Sequence, residues 1–204
     1  MATKSNTQEV NIPRIDIKLF TLKIIGDSPL IVHKWSEKAK REMLDKQMKK
    51  AKAGKDAKDP WADYVGSLYW MTEMPEKPKQ EDIETAKFGF PAIGFKAAAV
   101  SAGYRSGITK DKVSSNGAFH VVGDMVEIIG KPEIREDMVR IQQTTDIRYR
   151  GEFKQWSAEI TIRYNANVMS MEQIINLFNL GGFAVGIGEW RPEKGGSFGM
   201  YHVE

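Results

Sequence analysis

The sequence predicts an α+β domain, and three features carry that prediction. A strand signal opens the ordered part of the chain at residues 15–25. Three further strand signals follow one another at 118–129, 138–149 and 156–164. Two helix signals separate these groups and the end of the chain, a small-residue one near 94–102 and a capped one from Ser170.

Taken in order, residues 1–13 are polar and aperiodic and read as a disordered tail ahead of one domain spanning 14–204. In residues 15–25, IDIKLFTLKII, Ile15, Ile17 and Leu19 share one face, and Phe20, Leu22 and Ile24 the other. That pattern reads as a central strand. GDSP turns the chain at 26–29, and LIVHKW is a short apolar run. A helix follows from Lys34 to about Ala53, with Ser36 as its cap. Its apolar positions, Trp35, Ala39, Met43, Leu44, Met48 and Ala51, form a thin stripe, so it docks shallowly and keeps a wide solvated face. Residues 61–71 are apolar and aromatic without a clear period, and 73–84 read as a loop rich in proline and charge. The span 34–87 is therefore an insertion, helical and basic at its start.

Pro91 restricts Phe90, and Gly94 starts a helix through 97–102 whose small side chains let it lie close to a sheet. Residues 107–117 read as a loop before the three strands. Ser170 and Gln173 form a capping box, and Met171, Ile174, Ile175 and Phe178 recur at helical spacing. Gly181 and Gly182 stop that helix. The segments 183–187 and 199–203 flank a glycine-rich loop. Strand, helix, strands, helix and strand match the ferredoxin-like βαββαβ plan with insertions. The RNA recognition motif uses the same plan and binds single strands through aromatics on its sheet face.

Composition narrows the function. The 204 residues are 41% hydrophobic and 28% charged, which fits a soluble chain with a real core. No run of about 18 apolar residues exists, so no membrane helix is expected, and the first residues lack the apolar core of a signal peptide. There is no cysteine, which excludes disulfides and thiolate metal sites and fits a cytoplasmic protein. No P-loop, HExxH or Ser–His–acid pattern occurs, and no His/Asp/Glu cluster has ligand spacing. No cofactor, metal or catalytic machinery is expected from these motifs.

Charge is unevenly placed. Net charge is +3, yet residues 34–58 hold ten bases and four acids. That window stands at +6, and the rest of the chain at −3. Lys38, Arg41, Lys46, Lys49, Lys50 and Lys52 are positioned to neutralise phosphates. The alternative is a solvated helix with i,i+4 pairs such as Glu42–Lys46 and Asp45–Lys49. A second basic stretch, DIRYRGEFKQW, interleaves Arg148, Arg150 and Lys154 with Tyr149, Phe153 and Trp156. It reads either as a strand presenting cations and rings to a nucleic acid or as a hairpin turning at Gly151 with its aromatics inside.

The end of the chain, GIGEWRPEKGGSFGMY, holds Gly186, Gly188, Gly195, Gly196 and Gly199. Glycine permits positive φ and close backbone approach, and bare N–H groups hold phosphates. Trp190 and Phe198 can stack bases, and Arg191 and Lys194 supply charge. The alternative is a hairpin with a demanding tip.

These glycines, Gly186-x-Gly188 and then Gly195-Gly196-x-Phe198-Gly199, lie between a C-terminal helix and a closing strand. In that they resemble the glycine-rich loop of the RAMP superfamily, the RNA-binding proteins of CRISPR effector complexes. FPAIGFKAAAVSA resembles the first helix of the RAMP backbone subunit, which forms filaments along a guide RNA. The whole chain also resembles small proteins encoded by tailed bacteriophages. Glu189 and Glu193 make this loop less basic than a dedicated phosphate cradle. The resemblance implies a non-enzymatic protein that binds single-stranded DNA or RNA and assembles with its own copies along the strand. Two alternatives stand beside it: a protein–protein or virion assembly module, and a metal-independent ribonuclease using His33 or His120 as general base.

Overall fold

The apolar alternation of residues 15–25 belongs to a sheet strand with one wet face. β1 (Ile17–Gly26) buries Leu22 and Ile24 and leaves Ile17 and Leu19 exposed. β8 (Ser157–Asn165) alternates in the same sense, with Ala158, Ile160, Ile162 and Tyr164 turned inward. The two strands pair antiparallel from Ile17 opposite Asn165 to Ile25 opposite Ser157, which sets both apolar faces on one side. The computed structural model describes residues 13–35, 37–49, 57–141 and 144–204. Residues 1–12 of the tail expected over 1–13, the cap Ser36, and Lys50 and Lys52 lie outside them.

β9 (Tyr201–Val203) pairs with the far side of β1, and β4 (Phe119–Val121) and β5 (Met125–Ile129) pair with β8. β3 (Phe88–Pro91) closes the other edge against β5. The order β9, β1, β8, then β4 and β5, all antiparallel, is that of a ferredoxin-like sheet. Its two helices are α4 (Ala92–Arg105) and α6 (Met171–Ala184). The protein is therefore an α+β domain of ferredoxin-like topology.

The two helices approach closely because their contacts are small. A side chain at Gly181 would press on the Ala98–Ala99 backbone of α4, and one at Gly103 would strike Leu177. Gly181 and Gly182 thus serve packing and do not stop α6, which runs on to Ala184. The capping box of Ser170 and Gln173 forms as the sequence requires, with the Gln173 N–H donating to Ser170 Oγ at 3.2 Å. The core lies between sheet and helices and includes the fully buried rings of Phe95, Phe119, Phe178 and Tyr201.

A smaller sheet is built from strands outside the 34–87 insertion. β2 (Leu30–Val32) pairs with β7 (Thr144–Phe153), which forms a ten-residue ladder with β6 (Pro132–Ile141). The strand expected at 138–149 therefore belongs to two strands, and residues 142–143 between them lie outside the described residues. Gly151 is no turn. It sits inside β7 opposite Ile134, and a Cβ there would collide with Leu68. Residues 61–71 supply α2 (Pro60–Ser67), capped by Asp59 and fastened to this sheet by the Tyr64 hydroxyl, which donates to Pro132 O at 2.9 Å.

Three further segments differ from expectation. The supposed loop 107–117 contains α5 (Lys112–Ala118), where Asp111 accepts the Ser114 N–H at 2.7 Å. The supposed loop 73–84 includes the start of α3 (Gln80–Thr85). The helix after Lys34 is shorter, α1 (Glu37–Gln47), and Met43, Leu44 and Met48 of its stripe are exposed. Among the described residues no helix is long and apolar enough to cross a membrane.

Candidate nucleic-acid interface

The glycine-rich loop is pinned to its own chain at many points. Ile187 N–H donates to Gly199 O at 2.9 Å, Glu189 N–H to Ile31 O at 2.9 Å, and Gly199 N–H to Pro29 O at 2.8 Å. These bonds leave no room for side chains. A Cβ at Gly188 would collide with Ile31 O, and one at Gly199 with Ile187 O, both at positive φ. Part of the glycine content is therefore explained by backbone meeting backbone inside the fold. No strand precedes the loop: Phe183 belongs to α6, and a short 3₁₀ turn, Pro192–Lys194, shapes the middle.

Trp190 is the outlier of this loop. It adopts φ 53°, a left-handed conformation costly for a bulky side chain, and its residue surface is 41% exposed. Its carbonyl accepts the Phe198 N–H at 3.1 Å, so the loop fixes the strained backbone while the indole stays at the surface. Phe198 is half-buried and carries the Arg135 guanidinium 4.7 Å from its ring centroid.

An open groove of about 400 Å³ runs between the loop and α4 and α5. Its floor is small, with Gly94, Ala97 and Ser101 on α4 and Gly186 and Gly188 on the loop, and Lys112, Asn116 and Arg191 supply polar groups. Arg191 donates to Gly188 O at 3.0 Å and meets Glu193 at 2.7 Å. Glu193 also takes Arg105 at 2.6 Å. Partial burial works to raise the Glu193 carboxyl, but the hydrogen bond from Arg191 and the charges of Arg191 and Arg105 hold it below its ordinary value. Lys194 and Gly195 are exposed, and among the described residues nothing lies within 4 Å of where a Cβ on Gly195 would sit.

The second basic stretch is less available than its sequence indicates. Arg150 is 2% exposed, its guanidinium 3.4 Å from Asp137. It belongs to a charged layer where β6 and β7 meet: Arg135 lies opposite Arg150, and the like charges are offset by Arg135–Glu152 at 2.6 Å and Arg135–Asp137 at 2.9 Å. Phe153 and Trp156 are buried, and the Trp156 indole N–H donates to Ser28 O at 2.8 Å. Arg150, Phe153 and Trp156 are thus interior residues, removed from any surface a strand could touch. Lys154 pairs with Glu133 at 2.6 Å in solvent. Tyr149 is half-buried and bonds Glu136 across the ladder. Arg148 stays near the surface, 3.9 Å from Asp146.

On α1, Arg41 and Lys46 are exposed, as is Lys49 just beyond it, and the backbone of Lys38 is helical. Lys58 returns to the hairpin through an ion pair with Asp146 at 2.5 Å. His33 follows β2, whose pairing ends with Val32 opposite Gly151, and feels the charge of Arg150. Burial, with Arg150 and Arg148, lowers its pKa. No His/Asp/Glu group among the described residues is arranged to hold a metal ion. The outward positions of β1 and β8 carry no Phe, Tyr or Trp, so the sheet face lacks the stacking platform of an RNA recognition motif.

The fold and these side chains define a ferredoxin-like α+β domain with a groove at its glycine-rich loop. No protein-family model matches the chain. No curated protein is similar to it at a significant level. Among solved structures, the chain is similar to the crystal structure of Cmr6 from Pyrococcus furiosus. The likeness covers 94% of this chain and 100% of that one, at 8% identity and a TM-score of 0.41. A likeness that loose carries no argument, and the description rests on the strand order and the side chains above.

Proposed function

We propose that this chain is a non-enzymatic, RAMP-type protein that binds single-stranded DNA or RNA across the groove between α4 and the glycine-rich loop. Trp190 carries the reading: a half-exposed indole held at positive φ beside Gly188 and Arg191 is strain kept at a surface. A base stacks on that indole. Lys112, Arg191 and Lys194 meet phosphates around the groove, and Arg41, Lys46 and Lys49 extend the positive track without reading sequence. Copies of the chain follow one another along the strand, the arrangement expected of a head-to-tail contact that does not close.

A second reading is favoured by one observation. The stripe Met43, Leu44 and Met48 is exposed on α1, and Met48 reaches 59% exposure. Methionine-rich helix faces suit protein partners, so α1 is then a protein contact. Equilibrium binding of labelled single-stranded DNA and RNA of equal sequence separates the two, because the second reading gives no binding to either.

A further inference from the structure

Lys96 lies on the buried side of α4 with no carboxylate to meet it among the described residues. It is 8% exposed. Its ammonium donates to Asn116 O at 2.7 Å and lies 3.3 Å from His120 Nδ1. The Phe119 ring centroid is 5.9 Å away. A buried ammonium without a counter-ion is costly. His120 stands directly opposite Arg163 in the β4–β8 ladder, and Arg163 forms no ion pair among the described residues. A cation across the ladder disfavours protonation of the imidazole. Burial, Lys96 and Arg163 together keep the imidazole below its usual pKa.

His120 and Arg163 line a second cavity, of about 490 Å³, open to solvent, and Lys96 reaches it only through its contact with His120. α5 contributes to both hollows, Lys112 and Asn116 to the groove and Gly117 and Ala118 to this one. Among the described residues no acidic side chain lines it. His120, Arg163 and Asn165 line it with polar groups, and Ile15, Ile17 and Val122 with apolar ones. Lys96 can only donate, so His120 Nδ1 accepts and Nε2 carries the proton, a donor turned away from Lys96. A planar guanidinium, an imidazole N–H and a carboxamide together suit a phosphate. The volume and the apolar wall suit the body of a nucleotide.

We infer that the cavity bordered by His120, Arg163 and Asn165 binds a nucleotide through its phosphate, with the sugar and base against Ile15, Ile17 and Val122. The phosphate supplies the anion that Arg163 lacks and accepts the His120 Nε2–H. This site does not depend on strand binding in the groove. Two sources share the chemistry: a free nucleoside monophosphate, and the 5′-phosphorylated end of a strand.

Calorimetric titration of the full chain with adenosine 5′-monophosphate, adenosine and inorganic phosphate tests the site. A 5′-phosphorylated oligothymidylate and its unphosphorylated twin complete the set. The monophosphate, or the phosphorylated strand, is expected to bind once per protomer and more tightly than adenosine. Arg163→Ala and His120→Ala, each checked for a native thermal transition, should weaken it about tenfold. Arg163→Ala should leave the unphosphorylated strand unaffected. A phosphorylated strand that outbinds the free nucleotide identifies a strand end as the ligand, and the reverse identifies the nucleotide. A folded protein that binds neither, or binds equally after both substitutions, overturns the inference.

Discussion

The Arg105 guanidinium of α4 meets the Glu193 carboxylate of the glycine-rich loop at 2.6 Å, and so ties the rim of the groove to the helix that forms its floor. Glu193 holds Arg191 at the same time. Its carboxyl is depressed below the ordinary value, so its stabilising contribution is present above the unfolded pKa and lost as pH falls through the folded one. Thermal melts of the wild type and Glu193→Gln should differ at neutral pH and converge below roughly pH 4. Arg105 is half-exposed, so the difference should be small, about 1 kcal/mol. The same substitution removes a negative charge from the rim, so single-strand affinity should rise.

Trp190→Gly separates strain from function. Glycine accepts φ 53° without cost, so the variant should be more stable, by about 1 kcal/mol, in chemical denaturation. It should also bind single strands more weakly by about 1–3 kcal/mol. A variant that gains stability and keeps full affinity would show the indole to be a bystander.

The glycines of the loop should not be equivalent. At Gly199 a Cβ collides with Ile187 O and φ is positive, so Gly199→Ala should lose roughly 2–4 kcal/mol. At Gly195 φ is also positive but the space is open, so Gly195→Ala should lose only about 1 kcal/mol. Equal losses measured by denaturant titration would contradict the account of backbone packing.

Asp137 shields two arginines, Arg135 and the buried Arg150. Asp137→Ala leaves Arg150 without its carboxylate and should destabilise the fold by about 3–5 kcal/mol. Arg135→Met and Arg150→Met together, with Asp137→Leu and Glu152→Leu, replace the layer by apolar groups and should restore much of that loss. Failure of the quadruple variant to recover would mean that the layer holds β6 and β7 in place by more than charge balance.

How far the sequence speaks depends on how local each cause is. The Ser170–Gln173 box and the alternation of β8 are decided by neighbours in the chain, and both are readable there. Gly151 invites a turn, yet its reason is Leu68, far away in sequence. Arg150 looks like a surface cation because nothing nearby announces that β2 and the rest of the small sheet will bury it. Gly181 and Gly182 look like a helix stop because their partners, Ala99 and Tyr201, lie on other elements. The groove was only half legible. The glycines and Trp190 stand out, but Lys112 comes from a segment that reads as loop and shows its place only after α5 folds against α4. Lys96, His120 and Arg163 likewise come together from three separate stretches.

The central claim is that a single strand lies across the groove, and fluorescence anisotropy tests it most directly. Labelled single-stranded DNA and RNA of equal sequence are titrated with wild-type chain and with Lys112→Glu, at low and moderate salt. The account predicts salt-sensitive binding that saturates at a fixed number of nucleotides per protomer, with a weaker and less salt-dependent Lys112→Glu. A folded wild-type protein that binds neither strand, or a Lys112→Glu variant that binds as well as wild type, would contradict it.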